Sequence, residues 1–478
     1  MRLGELLHDL EYSGTTDLPL EEMVTCVTDD SRKVSRGAVF VCVKGARFDG
    51  HTMAREALAA GALCVVAQKK TGADREIITK NTRAAYASLC AAFFGYPARK
   101  LKLIGVTGTN GKTTIAFLLK EIFDAAGYKT GLIGTLVNMV GTESKEACLT
   151  TPDPWELHGL FARMAEEGCA YCFMEVSSQA LAQDRVCGLT FEAAIFTNLT
   201  QDHLDYHGSF QAYASAKQRL FRQTKFAVVN LDDSASETMV DGSNARVVTY
   251  SIREMRADYT AKNVQYAMNG VVYELVGRQT IGRLRFAVPG AFSVYNSMAA
   301  ACTAVELGLD LHQTLTSLAQ SRGVRGRMEV VPVDTGFTVL IDYAHTPDGL
   351  ENILKALQNT AKGRILLVFG CGGDRDKTKR PIMGKIAQEY ANIVIVSSDN
   401  PRSEDPLAII ADILAGMKHS NHVHTEPDRI KAIALALKLA KKDDVVVLAG
   451  KGQETYQILA SGKIHLDERE VVRNILGV

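Results

Sequence analysis

Residues 105–114 read Gly-Val-Thr-Gly-Thr-Asn-Gly-Lys-Thr-Thr, directly after the apolar pair Leu103-Ile104 and at the head of an amphipathic stretch over 115–126. A glycine-rich loop between a strand and a helix commits this part of the chain to α/β architecture. It also presents backbone N–H groups and the positive helix end to phosphate. Lys112 adds a point charge and Thr113 a hydroxyl suited to Mg²⁺. The strict G-x-x-x-x-G-K-[ST] spacing wants glycine at 106, where Val106 stands, and the glycines fall instead at 105, 108 and 111. A turn alone gives no reason for a lysine and two threonines at the helix start, so the segment is expected to bind a nucleoside triphosphate.

With 478 residues the chain exceeds one compact core, and its size suggests about three domains. Its 54 basic and 54 acidic residues cancel, so no overall field attracts nucleic acid or an anionic membrane. Residues 1–12 carry acidic side chains and no long apolar core, and no apolar run reaches bilayer length, so a soluble cytoplasmic enzyme is expected. Ten cysteines without framework spacing suit a reducing compartment, where they act as small buried hydrophobes. Cys169 and Cys172 form one C-x-x-C with no second pair, which favours core packing over a metal site.

Between 37 and 66 the order is strand (38–43), Gly/Asp turn (45–50), helix (52–60), Gly61 and a second strand (63–66), a small βαβ pattern. A boundary is expected near 97–102. The middle of the chain has apolar strands at 171–174, 193–196 and 227–229, each ending in polar residues where open parallel sheets gather ligands. A second boundary falls near 326–331. Beyond it, β-branched runs at 339–341, 365–369, 393–396 and 445–448 alternate with helical patterns and predict a second doubly wound α/β domain.

Among the polar ends, Glu175 could reach a Mg²⁺ held on the phosphates, although a lone acid at a strand end is ordinarily just solvated. The segment 197–208 gathers Asp202, His203, Asp205 and His207 after a strand. Its plain reading is a helix start capped by Thr200 or Asp202; its functional one makes the histidines metal or phosphate ligands.

Together these residues resemble the Mur ligase superfamily, ATP-dependent enzymes that join amino acids to a peptidoglycan precursor. The resemblance rests on Gly-Thr-Asn-Gly-Lys-Thr at 108–113, Glu-Val-Ser-Ser at 175–178, Asn198 with Asp202-His203-Leu204-Asp205, Gly-Arg-Met-Glu at 326–329, and Asp-Tyr-Ala-His-Thr-Pro at 342–347. It implies three α/β domains: a small UDP-sugar-binding N-terminal domain (1–98), a central P-loop ATPase-like domain with a mostly parallel sheet (99–328), and a Rossmann-like C-terminal domain that takes the amino acid (329–478). Asp-Asp-Ser-Arg at 29–32, Thr-Thr-Pro-Asp-Pro at 150–154, Gly-Cys-Gly-Gly-Asp-Arg-Asp at 370–376, Asp-Asn-Pro-Arg at 399–402 and Gly-Lys-Gly at 450–452 are similar to the branch that adds the third stem-peptide residue.

The resemblance implies ATP and Mg²⁺ as cofactors and UDP-N-acetylmuramoyl-L-alanyl-D-glutamate as acceptor, its γ-carboxylate passing through an acyl phosphate. Gly108, Thr109, Asn110, Gly111, Lys112, Thr113 and Thr114 would hold ATP with Asn296, Arg327 and Asp342, Ser293 standing where a second asparagine is common. Lys112, Glu175, His203 and Lys217 would be catalytic. Thr113 and Glu175 would hold one Mg²⁺ and His203 would help hold a second, and Lys217, once carbamylated, would join them as an anionic metal ligand. Ser31 and Arg32 would face the UDP end, with Thr150, Thr151, Ser177, Gln183 and Arg185 near the muramoyl peptide.

The amino-acid site would comprise Arg375, Asp399, Asn400, Arg402, Gly450 and Glu454. Diaminopimelate ends in an ammonium and a carboxylate, lysine in an ammonium alone. Arg402 could grip the extra carboxylate in a two-pronged pair and would repel lysine's ammonium. The family's diaminopimelate enzymes carry this Asp-Asn-Pro-Arg pattern, so the resemblance implies meso-diaminopimelate over L-lysine. Asp-Asn-Pro is also ordinary turn chemistry, which leaves Arg402 unexplained. Gln179 and Gln453 stand where histidines are frequent in related sequences. A folylpolyglutamate synthase would share the phosphate loop and Glu175 but not the early Asp-Ser-Arg or the Asp-Asn-Pro-Arg. An inactive nucleotide-binding regulator predicts damage at Lys112, Glu175, His203 or Lys217, and all four are intact. A monomer is expected.

Overall fold

The computed structural model describes residues 1–15, 17–45, 48–278, 280–358 and 360–477, except the Asp205 side chain. Ala46 and Arg47 of the expected 45–50 turn, and the Asp205 side chain of the family motif, lie outside the described residues. The chain builds three α/β layers around three large sheets.

In the first sheet the order is Ser13–Gly14, Glu76–Ile78, Cys64–Ala67, Ala38–Val41, Cys26–Thr28, and only the first pairing is antiparallel. Successive side chains point to opposite faces. Val39, Val41 and Val66 therefore pack with Ala85 and Leu89 of the helix Thr82–Phe93, while Phe40, Cys42 and Val65 pack with Ala54 and Ala57. Burial on both faces is what makes these strands read as unbroken apolar runs. The helix expected over 52–60 is a 3₁₀ turn, Gly50–Met53, followed by Ala54–Ala59, because the Asp49 side chain caps His51 N–H and starts the turn early. The strands expected at 38–43 and 63–66 are Ala38–Val41 and Cys64–Ala67.

The second sheet has eleven strands. Its parallel centre places Lys102–Thr107 between Tyr171–Glu175 and Phe191–Phe196, with Thr224–Asn230 and Arg246–Ser251 beyond the latter and Thr130–Ile133 beyond the former. Register sets Glu175 opposite Val106 and Phe196 opposite Thr107, so Glu175 and the chain after 196 emerge beside the phosphate loop. The loop helix, Lys112–Ala125, starts three residues before 115, since Gly111 at φ 89° turns the backbone directly into it. The strands expected at 193–196 and 227–229 extend to Phe191–Phe196 and Thr224–Asn230, through polar residues that carry no apolar signal. An antiparallel edge, Tyr259–Ala267, Gly270–Gly277 and Thr280–Phe286, and the buried helix Ala291–Glu306 have no counterpart in the sequence reading.

The third sheet runs Glu329–Val331, Thr338–Asp342, Val445–Ala449, Ile365–Phe369, Ile393–Val396, Val423–Thr425, parallel after its first strand. Asp342 is opposite Ala449 and Phe369 opposite Val396, so the segments after 342, 369, 396 and 449 leave one sheet edge together.

The ten cysteines are free, and Cys169 and Cys172 are buried, their thiols pushed up by burial. Not every cysteine is a buried hydrophobe as expected: Cys148 is exposed, in the loop that follows the edge strand Glu143–Glu146.

Candidate active site

The glycines at 108 and 111 of the phosphate loop leave no room for side chains. A Cβ on Gly108, at φ 146°, would lie 1.8 Å from Thr197 Oγ1, and one on Gly111 would lie 2.6 Å from Asn296 Oδ1. Neighbouring side chains clamp the loop: Asn198 Oδ1 accepts from Asn110 N–H at 2.9 Å, and Thr109 Oγ1 lies 3.0 Å from Tyr213 OH. Lys112 Nζ donates to the carbonyls of Gly108 and Thr109 at 2.9 and 2.8 Å. Burial lowers its pKa, opposed by Glu175 and Asp202.

Glu175 is buried, not solvated. Its Oε2 accepts from Thr113 Oγ1 at 2.9 Å and Thr135 Oγ1 at 3.0 Å, and its Oε1 from Thr135 N–H at 2.7 Å. A Cβ on Gly134 would meet Oε1 at 2.4 Å. The backbone of the same residue faces the other half of the site: its carbonyl accepts from Thr151 Oγ1 at 2.8 Å, which also accepts from Ser177 N–H at 3.0 Å. Thr150 Oγ1 lies 3.1 Å from Thr135 Oγ1. Arg185 donates to Thr151 O at 2.7 Å and, through Nε and Nη2, to Gln183 Oε1. A continuous network thus joins the phosphate loop to the side proposed for the peptide.

Lys217 is buried with Nζ 2.7 Å from Gly108 O and 4.7 Å from the Tyr213 ring centre. Burial first, then the nearby Lys112 charge, pushes its pKa well below the usual lysine range, favouring the neutral amine. His203 adopts left-handed φ 54° ahead of the short helix Leu204–His207, with Nε2 3.5 Å from Asp202 Oδ2. The cap expected from Thr200 or Asp202 is absent from that helix: His203 is the N-cap residue, and Asp202 instead accepts from His203 N–H at 2.8 Å. His207 Nε2 lies 3.0 Å from Ser178 Oγ.

The chain beyond 325 reaches over the loop. Arg327 Nη2 approaches Thr113 Oγ1 at 3.5 Å, its guanidinium sits 4.6 Å from the Tyr343 ring centre, and its Nε is buried without a partner. Asp342 accepts from Met328 N–H and Ala344 N–H at 2.7 Å each, and burial raises its pKa against those bonds and Arg327. Asn110 Nδ2 donates to Asp348 Oδ2 at 2.6 Å. Burial first, then the Lys379 charge, lowers the pKa of His345. Asn296 is buried beside Gly111, while Ser293 Oγ donates to Pro289 O at 2.8 Å and closes its own helix start.

A cavity of about 1080 Å³ brings together Thr109–Thr114, Thr150, Thr151, Glu175, Ser177, Gln183, Arg185, His203, Lys217, Asn296, Arg327, Asp342 and Arg375. Gly108 does not line it. Gln179 lines it as well, while Gln453 has a buried, unpartnered Oε1. Asp399, Asn400, Arg402, Gly450 and Glu454 form their own cluster at the third sheet's edge: Asn400 Nδ2 donates to Glu454 Oε2 at 2.8 Å, and Arg402 Nη1 donates to Gly373 O at 2.8 Å. Burial raises the Glu454 carboxyl, and Lys451 opposes that rise. Ser31 and Arg32 are not brought to the cavity; they follow the first sheet's strand Cys26–Thr28, with Arg32 paired to Asp30 through Nε and Nη2 at 2.9 Å each.

Three contributors have no assigned role in the sequence reading. Thr135 and Asp348 carry no motif signal, whereas Lys451 lies within the Gly-Lys-Gly at 450–452, where the motif gives it no role of its own. Thr113 and Glu175 form the kind of hard oxygen pair that Mg²⁺ shares with phosphate oxygens, so the residues present fit that ion.

Family models match three stretches of the chain: the Mur ligase catalytic domain over 23–93, the Mur ligase middle domain over 106–304 and the Mur ligase glutamate ligase domain over 326–452. The UDP-N-acetylmuramoyl-L-alanyl-D-glutamate–2,6-diaminopimelate ligase 1 of Clostridium acetobutylicum is 42% identical, covering 100% of this chain and 99% of that protein. The ligase of the same activity from Halalkalibacterium halodurans is 45% identical over 94% of this chain and 93% of its own length. A solved structure of a UDP-N-acetylmuramoyl-L-alanyl-D-glutamate–2,6-diaminopimelate ligase superposes with a TM-score of 0.73 at 34% identity, covering 100% of this chain and 99% of that one.

Proposed function

The chain belongs to the Mur ligase family, and from that premise we propose how it adds meso-2,6-diaminopimelate to the D-glutamate γ-carboxylate of UDP-N-acetylmuramoyl-L-alanyl-D-glutamate. It is an ATP-dependent acid–amino-acid ligase of peptidoglycan precursor synthesis. The observation that carries the mechanism is the single cavity in which the phosphate loop, the Thr113–Glu175 pair and the Arg185–Thr151 network meet.

A carboxylate is a poor electrophile until one oxygen becomes a leaving group. In-line transfer of the γ-phosphoryl of ATP to the γ-carboxylate gives an acyl phosphate and ADP. The amine of diaminopimelate then attacks the acyl carbon, and the tetrahedral adduct expels phosphate and a proton to leave the amide. The loop N–H groups and Lys112 hold the phosphates, with Lys112 leaving its resting carbonyl partners to offset charge that grows in the transition state. Bound Mg²⁺ supplies further neutralisation of the phosphate oxygens. Thr113 and Glu175 would hold one ion, with Thr135 fixing the Glu175 carboxylate for that task, and His203 would help hold a second. Lys217 carries a carbamate, formed when its neutral amine adds CO₂ and releases a proton; its burial and depressed pKa support this.

Asn296 lies on the adenine side, and Arg327 and Asp342 close over the phosphates and ribose. Arg185, Gln183, Ser177, Thr150 and Thr151 take the peptide end, with Ser31 and Arg32 toward the uridine. Arg375, which lines the cavity, takes the carboxylate at the reacting carbon of diaminopimelate. Arg402 takes the distal carboxylate, and Asp399, Asn400 and Glu454 take the distal ammonium. Divisions at 1–98, 99–328 and 329–478 belong to the same proposal, since each span holds one of the three large sheets. So does work in the cytoplasm as a monomer, without nucleic acid or membrane. Among the described residues no helix is long and apolar enough to cross a membrane.

The test is phosphate release from ATP and Mg²⁺ with the UDP-dipeptide and meso-diaminopimelate, L-lysine or no amino acid. Release that requires diaminopimelate, with product mass raised by that residue, is expected. Preference for lysine would overturn the Arg402 assignment and keep the ligase; no release with either amine would overturn the ligase.

A further inference from the structure

We propose that Lys451 is a specificity-determining positioning residue: its buried ammonium cancels one of the two carboxylates at the distal amino-acid pocket, so a zwitterionic end fits and a lone ammonium does not. This rests on assigning residues 399–402 and 450–454 to the amino-acid site.

Lys451 is 0% exposed, and a lysine at that depth persists only with charge partners. Its Nζ donates to Glu454 Oε2 at 3.1 Å and to Asn400 Oδ1 at 3.3 Å, and lies 3.6 Å from Asp399 Oδ1. These are three of the groups assigned to the substrate's distal amine. Asn400 is held on both sides, donating to Glu454 and accepting from Ile458 N–H at 2.9 Å. Among the described residues nothing donates a hydrogen bond to the buried Asp399 Oδ1, which leaves a lone pair for an N–H. Gly450, at φ 111°, keeps this approach open, for a Cβ there would lie 3.0 Å from Asp399 Oδ2.

Two carboxylates, one ammonium and the Arg402 guanidinium leave the pocket without net charge. The distal end of diaminopimelate is also neutral overall, and its two charges meet opposite signs. The end of lysine brings one uncompensated positive charge into a site that already holds two. Without Lys451 the pocket would carry one net negative charge and would welcome lysine. Discrimination here comes from the mismatch against the wrong substrate as much as from contacts to the right one.

The test compares kcat/KM for meso-diaminopimelate and L-lysine in the unmodified enzyme and in Lys451→Met, Lys451→Arg and Glu454→Gln. The diaminopimelate-to-lysine ratio should fall about tenfold or more in Lys451→Met, chiefly through KM, and should return in Lys451→Arg. Glu454→Gln leaves the lysine in place and makes the pocket net positive, so the ratio should rise even as both substrates weaken; this arm stands if Lys451→Met does not fold. A ratio unchanged in Lys451→Met, or lowered in Glu454→Gln, overturns the proposal. An unmodified enzyme with no preference for diaminopimelate overturns the amino-acid site assignment itself, and this proposal with it.

Discussion

Glu175 is held by two threonine hydroxyls and one N–H while its own carbonyl holds Thr151, so one residue ties together the side of the cavity proposed for the metal and the side proposed for the peptide. Glu175→Gln keeps the volume and most of these bonds but removes the charge. It should lower kcat about 10²–10³-fold with ATP binding largely retained, as for other losses of preorganised charge. Single-turnover phosphate release checks this, and a loss under threefold would remove Glu175 from the mechanism. Lys217 calls for a different measurement, because its burial predicts a modification rather than a contact. After incubation with ¹³C-bicarbonate, the active enzyme should give a carbamate carbon resonance that Lys217→Met lacks. An active enzyme without that resonance would sink the carbamate.

The elements legible in the sequence are those buried on both faces. Ile365–Phe369 and Ile393–Val396 stand where their β-branched runs placed them, because parallel strands under helices cannot afford polar residues. The antiparallel strands Tyr259–Ala267 and Thr280–Phe286 carry exposed and intermediate positions with no clean run, and so escaped notice. Site residues followed the same logic: Lys112 and Arg402 sit in motifs, while Thr135 and Asp348 owe their places to register and packing that no local pattern records. The helix Pro154–Glu166 holds another such residue, His158, which lines a second cavity of about 1120 Å³ between the helix Thr82–Phe93 and the amino edge of the central sheet. Both His158 ring nitrogens are buried without a hydrogen-bond partner among the described residues, and burial lowers its pKa to about 4. A base depressed in the folded state is favoured there only when neutral. Its contribution is full above the unfolded pKa of about 6.5 and is lost as pH falls toward 4, about 3 kcal/mol in all. Between pH 7.5 and 5, Tm should therefore fall less in His158→Leu than in the unmodified enzyme; equal falls would reject the burial argument.

At the scale of the molecule the two joints differ in kind. The first sheet's layer docks on the central one through Trp155, packed 4.9 Å from both Phe93 and Phe94, and through Asn81 Nδ2 donating to Asp184 Oδ2 at 2.9 Å. The third layer meets the phosphate loop through polar contacts, Asn110 to Asp348 at 2.6 Å and Arg327 to Thr113 at 3.5 Å. Apolar residues of the third layer, Ala344, Leu350 and Ile353, share one core cluster with Val288 and Val294 of the central layer. The few hydrogen bonds at the phosphate loop, by contrast, can exchange for a charged ligand, so the proposed movement is confined to the loop face of the second joint. In the proposed mechanism, closure there would shield the acyl phosphate from water until the amine arrives. Asp348→Ala removes the bond that the loop itself makes to the closing layer, without touching Lys112, Glu175 or the amino-acid cluster. Its expected signature is leakage: phosphate released in excess of tripeptide formed, against a ratio near one in the unmodified enzyme, together with a raised KM for diaminopimelate. Fluorescence of Trp155, the sole tryptophan, should stay unchanged, because the first joint is not disturbed. A variant that keeps the ratio near one and an unaltered KM would mean that the Asn110–Asp348 contact plays no part in closing the site.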